Sequence, residues 1–404
     1  MTIFYVIFIL LAGYYSYKYD RIEEYDSHKQ HRLWLLCGYL ICLTGFSYGL
    51  GADKFTYMEE FEYYPTTFSE VEEYILVGIL YRGQMPLWTL VNIFCKIIFD
   101  SFYMVQLLES AAINTAVCYV ASKYTKRYFI FLLIYFLTLQ YFIFNTEVMR
   151  EGFAIALTLI GIHGWVSGKK CLFFVTLPFA LLSHLSAIAA IIFPFMNYRV
   201  SWKTLLFAFI ASFFLWLGGD LIFGRVIVAA LGGQEAISNK ALYYTLQTST
   251  VFGFIRHSIR FLILPFIIMY TTMTLEPLEK LKRCKEKFTA FMIVLGIVAG
   301  AIPGFVRFYN YTYIFYLILF ADFVYMLFRY KEHLIMRVGT MLLTIFFVAD
   351  IYLGHYKTTN TYFYEFFYPY TCILDEDVNV DYRPIAHGEA TNLEIDDKKI
   401  RDIK

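Results

Sequence analysis

The chain has 404 residues, 59% of them hydrophobic and only 17% charged, with a formal net charge of +1 and a mean hydropathy of +0.56. So apolar a composition exceeds what a water-soluble core can bury, and it predicts an all-α polytopic integral membrane protein. With no basic stripe along the chain, nucleic acid is excluded as a partner, and Lys and Arg are read for membrane topology instead.

The N-terminal run MTIFYVIFILLAGYYSYKYD has no basic residues before its apolar stretch and is flanked by Tyr. It predicts a retained first helix rather than a cleaved signal peptide. Apolar runs recur at 2–17, 33–50, 103–121, 128–145, 150–166, 204–223, 256–273, 288–303, 311–328 and 337–353, which predicts about ten spanning helices. Two further stretches differ. That at 86–99 is short and carries Lys96, and that at 171–196 contains Pro178, His184 and Pro194 and divides into two pieces.

Six connections are rich in Lys and Arg: Lys18–Arg32, Ser122–Arg127, Ser167–Lys170, Tyr198–Lys203, Thr274–Lys287 and Arg329–Arg337. All six face the cytoplasm if the two doubtful stretches enter and leave on one side, as re-entrant or interfacial helical segments. Both chain ends then lie outside, with 51–85, the Asn145–Arg150 turn, 224–255 and 304–310. The expected organisation is a transmembrane helical domain over 1–353 and a polar, flexible C-terminal tail over 354–404, because the chain beyond Ile373 lacks apolar periodicity.

Candidate chemistry concentrates in the outer segments. Asp53, in GADKFTY, reads as a solvated loop acid, as the cap of a short interfacial helix, or as a base for a sugar hydroxyl. Arg150 opens an apolar helix, where it opposes the positive end of the helix dipole. It reads either as a snorkelling residue or as a bidentate grip on phosphate. His184, between Ser183 and Ser186 at the apex of the doubtful pair, is either a helix–helix hydrogen-bonding residue or a base or phosphate ligand. Arg256 and Arg260 stand four apart, on one helix face near the outer boundary, where they hold lipid headgroups or a diphosphate. Arg307 lies in the outer connection PGFVRFYNYTY. The 36 Tyr and 42 Phe are first of all interfacial anchors.

The seven cysteines form no ligand spacing and read as packing residues. HExxH, Walker and GxSxG patterns are absent, and no acidic pair has metal-ligand spacing, so neither metal nor cofactor is expected. Asp375-Glu376-Asp377 imitates a nucleotide-sugar signature, yet falls in the tail, outside.

The ordered set GADKFTY, PLWTLVNIF, MREGFAIAL, SHLSAI, VRFYNYTY and FYPY resembles the EpsG family of Wzy-like bacterial polysaccharide and O-antigen polymerases over residues 1–372. Where that family usually reads Glu-Pro-Gly, this chain has Met85-Pro86-Leu87. The resemblance implies an enzyme that joins oligosaccharide repeat units carried on undecaprenyl pyrophosphate into capsular, exopolysaccharide or O-antigen chains. The site would face outward from the bacterial cytoplasmic membrane, with membrane lipid, a flippase and a chain-length regulator as partners. It points to Asp53, Arg150, His184 and Arg307 as catalytic, with Arg150, Arg307, Arg256 and Arg260 binding diphosphate. The competing readings are a lipid-linked glycan transporter, an O-antigen ligase-like glycosyl transferase and a membrane O-acyltransferase.

Overall fold

A computed structural model describes residues 3–22, 26–72, 74–75, 85–219, 250–275, 279–302, 305–329 and parts of 338–385, chiefly 361–375. The helices are α1 Ile3–Tyr19, α2 Ser27–Gly45, α3 Asp53–Glu62, α4 Pro86–Phe99, α5 Phe102–Tyr124, α6 Tyr128–Leu137, α7 Gln140–Phe142, α8 Met149–Val166, α9 Lys170–Ser183, α10 Trp202–Gly219, α11 Val251–Ser258, α12 Leu264–Leu275, α13 Glu279–Ala301 and α14 Val306–Arg329. Two-residue strands β1 His355–Tyr356 and β2 Thr361–Tyr362 pair antiparallel. The described fold is thus overwhelmingly helical.

Among the described residues, three stretches are long and apolar enough to cross a membrane: Phe102–Tyr124, Val251–Thr274 and Val306–Arg329. A fourth is added if the bent pair Tyr128–Leu137 and Gln140–Glu147 counts as one span. The expected run 128–145 is therefore not one straight helix. Leu139 takes a left-handed φ of 57°, a conformation costly for a branched residue, and the two pieces diverge there by 79°. The other expected spans coincide with α1, α2, α8, α10 and α13, whose described residues alone do not meet the same measure of length, hydropathy and charge. The expected span at 337–353 lies only in part among the described residues, and the outer segment 224–249 lies wholly outside them.

The two doubtful stretches resolve into helices of unequal kind. Pro86, whose fixed φ suits a first helical position, opens α4. That helix buries Trp88, Asn92, Ile93 and Cys95 while Leu90, Phe94 and Ile98 stay exposed. The second stretch is α9 followed by a 3-10 helix, Leu185–Phe195, and the break falls on His184.

The chain divides into two compact units, the first comprising Met1–Ile160, Pro178–Leu185 and Leu327–Lys404 and the second Gly161–Leu177 and Ser186–Met326. In the first, α2 and α5 run side by side. A Cβ on Gly45 would stand 2.7 Å from Leu107 Cδ1, so the glycine sets their approach. Rings join α1 to α6, Phe8 to Phe136 at 4.7 Å and Tyr15 to Phe129 at 5.4 Å. The start of α6 is capped from over a hundred residues away: the Asp20 carboxylate accepts from the backbone N–H of Phe129 at 3.2 Å and Ile130 at 2.8 Å. Beside it, Lys29 Nζ donates to Lys126 O at 2.6 Å and Ile22 O at 3.2 Å, and Arg127 donates to Asp20 O.

The sequence reads the chain after Gly354 as a separate flexible tail, yet residues 361–375 are built into the first unit. Tyr48 N–H donates to Thr371 O at 3.0 Å, Gly51 N–H to Phe366 O at 2.8 Å and Ile373 N–H to Phe46 O at 3.0 Å. Arg383 is fully buried and donates to Gly49 O at 2.5 Å and Pro369 O at 2.6 Å. Unpaired loop carbonyls that water cannot reach require such donors, and aperiodic sequence supplies them without any apolar signal.

In the second unit Leu205, Ala208, Leu262, Phe266, Met269 and Ile293 form a core among α10, α12 and α13. Lys285 on α13 and Asp322 on α14 make a 2.8 Å ion pair, both side chains about nine-tenths buried. Phe288 stacks on Phe315 at 4.1 Å across the same helices.

Candidate functional site

Around Arg150 the first unit builds a compact cluster from four segments. Tyr57, Phe61 and Tyr64 of the α3 region, Trp88, Ile93 and Cys95 of α4, Phe102 and Val105 of α5, and Met149 at the start of α8 share one apolar core. Met149 is fully buried there, which fixes the next residue. The Arg150 guanidinium lies over the Tyr57 ring, 5.2 Å from its centroid. Its Nε is buried without a hydrogen-bond partner, and a buried unpaired donor is costly unless a ligand completes it.

Arg150 is preceded by a π-helical turn, Ile143–Glu147. Such turns are rare and recur at functional sites because they redirect the side chains that follow. The turn needs room: a Cβ on Gly152 would collide with Phe144 O and stand 2.6 Å from Glu109 Oε1.

Asp53 is the first residue of α3, not a loop acid beyond a helix end, and the N-cap residue Ala52 supplies no side-chain acceptor. That service comes from Glu147, whose carboxylate accepts from Ala52 N–H at 2.6 Å and Asp53 N–H at 3.2 Å. Asp53 and Tyr57 stand four apart, hence on one face of α3. The structure therefore brings Asp53, Tyr57, Glu147 and Arg150 into one neighbourhood.

Lys54 points the other way, into the interior. Its Nζ donates to Ser47 O at 3.0 Å and Ser47 Oγ at 2.9 Å, with the side chain wholly buried. Burial pulls this ammonium well below the usual lysine range, opposed by the charge of Glu109. Glu109 is itself 1% exposed, and neither carboxyl oxygen has a hydrogen-bond partner. Gln106, a turn before it on α5, donates to Thr44 O, Gly45 O and Ser47 O at 2.5, 2.9 and 3.0 Å.

His184 belongs to the first unit and occupies the break after α9; its N–H donates to Ala180 O at 2.9 Å. The other three arginines stand in the second unit. Arg256 is exposed on α11, but Arg260 falls in a second π-helical turn, Ile259–Ile263, and is half-buried. Arg260 reaches the tyrosines of α14 and donates to Tyr313 OH at 3.5 Å. A Cβ on Gly296 would stand 2.5 Å from Phe261 O, so that turn too is seated against a glycine. Arg307 is exposed at the start of α14.

Among the described residues, no group of three or more His, Cys, Asp or Glu side chains is placed to hold a metal ion.

A family model described as the EpsG family matches residues 31–372. The chain belongs to the EpsG family. The match includes all six arginine, aspartate and histidine candidates and stops short of Arg383. No curated protein and no solved structure matches this EpsG protein significantly. Family and apolar helices together make it a multi-pass membrane protein of polysaccharide biosynthesis.

Sequence reasoning passes over Tyr57, Lys54, Glu109, Glu147 and Arg383. Glu109 does carry a signal, since an acid inside a spanning run is costly enough to mark a functional position. Glu147 and Arg383 sit among polar neighbours and show none.

Proposed function

We propose that this EpsG protein polymerises lipid-linked oligosaccharide repeat units, transferring a growing glycan from undecaprenyl pyrophosphate to a hydroxyl of an incoming lipid-linked unit. The reading places the reaction at the outer face of the bacterial cytoplasmic membrane, in a chain with about ten spans and two re-entrant or interfacial segments. It is supported by membership of the family, and the observation that carries it is the half-buried Arg150, with its unpaired Nε, over the ring of Tyr57, which stands one turn of α3 from Asp53.

The bond that breaks joins the anomeric carbon to the pyrophosphate oxygen, and the bond that forms joins the same carbon to the acceptor hydroxyl oxygen. Negative charge grows on the leaving pyrophosphate, which a guanidinium stabilises through two parallel N–H donors. The acceptor hydroxyl gives its proton to a carboxylate or imidazole, Asp53 or His184, and a single displacement inverts the anomeric centre. Arg256, Arg260 and Arg307 contribute further phosphate binding in the second unit. No metal enters the scheme. A flippase supplying the lipid-linked unit and a chain-length regulator are the partners it requires.

The test is reconstitution in liposomes with the native lipid-linked repeat unit extracted from producing cells, products being resolved by gel. A ladder with wild type that disappears in Arg150→Ala, the variant eluting as a monodisperse folded protein, is the expected result. Unchanged single repeat units with wild type overturn the polymerase reading, and movement of those units across the bilayer would put a transporter in its place.

A further inference from the structure

We propose that Glu147 is a positioning residue for this reaction, a carboxylate clip that sets Asp53 against Arg150; the inference rests on the polymerase reading for what those two residues do. A ring of contacts carries it. Glu147 holds the backbone of Ala52 and Asp53 through both carboxylate oxygens, and Arg150 follows it by three residues. The Arg150 guanidinium covers Tyr57, and one turn of α3 leads from Tyr57 back to Asp53. The base candidate and the phosphate candidate are thus separated by two hydrogen bonds and one three-residue step, so their spacing is set locally.

Three features mark the clip as built. Glu147 is 8% exposed, in a place where an unpaired carboxylate would be costly. The loop that reaches it turns through Gly51, whose φ of 83° favours glycine. A Cβ there would stand 2.5 Å from Glu147 Oε1 and 2.8 Å from Thr146 Oγ1, so no side chain fits between clip and loop. Finally, α3 has no side-chain cap of its own, and a negative charge at its N-terminus meets the positive end of the helix dipole. Burial and the charge of Asp53 push the Glu147 carboxyl up to about 7, and the two backbone N–H groups it holds pull the other way. On the inner side, Lys54 fastens the first turn of α3 to Ser47, so removing the clip frees one edge of the turn without releasing the helix.

The experiment measures binding of undecaprenyl pyrophosphate to the full chain in nanodiscs, for wild type, Glu147→Gln, Glu147→Ala, Arg150→Ala and the double variant Glu147→Ala/Arg150→Ala. Glu147→Ala should weaken binding about tenfold, the equivalent of ~1.4 kcal/mol and within the cost of losing a helix cap. Glu147→Gln, which keeps one acceptor oxygen, should recover most of that loss. In the Arg150→Ala background, Glu147→Ala should cost nothing further, because the clip acts through Arg150. Equal losses in both backgrounds would overturn the proposal and leave Glu147 a residue of general stability.

Amide hydrogen exchange over 52–57 supplies a readout that needs no lipid. Glu147→Ala should accelerate exchange there and Glu147→Gln should do so less; unchanged protection in Glu147→Ala sinks the clip outright. Should wild type fail to bind undecaprenyl pyrophosphate, the polymerase reading falls, and exchange alone then decides the clip.

Discussion

The Arg150 guanidinium rests on the face of Tyr57, 5.2 Å from the ring centroid, and Tyr57 is itself packed against Trp88 with ring centroids 5.8 Å apart. The ring therefore has two tasks, supporting the cation and closing the core beneath it. Removing the face at Tyr57→Leu should weaken undecaprenyl pyrophosphate binding by about two- to thirtyfold, given that such pairs contribute ~0.5–2 kcal/mol. Tyr57→Phe keeps the face and should bind within about threefold of wild type on the same scale. Arg150→Lys should behave nearly as Arg150→Ala, because an ammonium lacks the two parallel donors. Wild-type affinity in Tyr57→Leu would remove the ring from the site.

Asp53 and Arg150 are legible in the sequence because each is a charge at the edge of an apolar run, where a physical cost demands a reason. His184 is legible because an ionisable side chain inside an apolar stretch is costly, and the break after α9 falls on it. The π-helical turns before Arg150 and through Arg260 are not legible, since no local residue pattern distinguishes one extra residue per turn. The caps at α3 and α6 are hidden for another reason. Their acceptors, Glu147 and Asp20, lie 94 and about 110 residues away from the N–H groups they satisfy, and single-sequence capping rules see only the adjacent residue. Arg383 is invisible because a lone cation in a polar stretch gives no hint that loop carbonyls await it.

Gly152 and Gly13 should respond oppositely to alanine. At Gly152 an added Cβ meets a backbone carbonyl, Phe144 O, and the buried Glu109 carboxyl; neither can retreat without opening the π-helical turn. Overpacking of this kind costs about 1–3 kcal/mol. At Gly13 nothing lies within 4 Å of the new atom, and alanine in a helix interior gains about 0.5–1 kcal/mol over glycine. Thermal unfolding in detergent should therefore place Gly152→Ala below wild type and Gly13→Ala at or above it. A Gly152→Ala protein as stable as wild type would mean the turn is not closely packed.

Arg383 tests whether the chain beyond 354 is structural. Its guanidinium bonds Gly49 O, Pro369 O and Thr371 Oγ1, joining the loop before α3 to the segment after β2. Arg383→Ala leaves buried carbonyls unsatisfied and should lower stability by about 1–3 kcal/mol. Because Gly49 lies four residues before Asp53, it should also speed proteolysis of the α2–α3 loop. Arg383→Lys, which reaches with one ammonium rather than a fork, should recover only part of the loss. Unaltered stability and cleavage in Arg383→Ala would return this stretch to the polar, flexible tail that its composition suggests.

Asp20 gives the first unit a pH dependence of predictable sign. Burial pushes its carboxyl up to about 7, although the N–H groups of Ile130 and Phe129 and the charges of Lys29 and Arg127 pull the other way. In the unfolded chain an aspartate titrates near ~3.9. The folded state thus binds this proton more tightly than the unfolded state does, so the group's contribution is fully present below the unfolded value. It is lost as pH rises through about 7. Other carboxylates titrate in the same window, and they cancel in a difference between two proteins. The unfolding midpoint of wild type minus that of Asp20→Asn should therefore fall as pH is raised from 4 to 7 and level off above it. The asparagine keeps one acceptor for the start of α6, so the variant should still fold. A difference that rises with pH instead would mean that the carboxylate form, held by Lys29 and the two N–H groups, is the one the fold prefers.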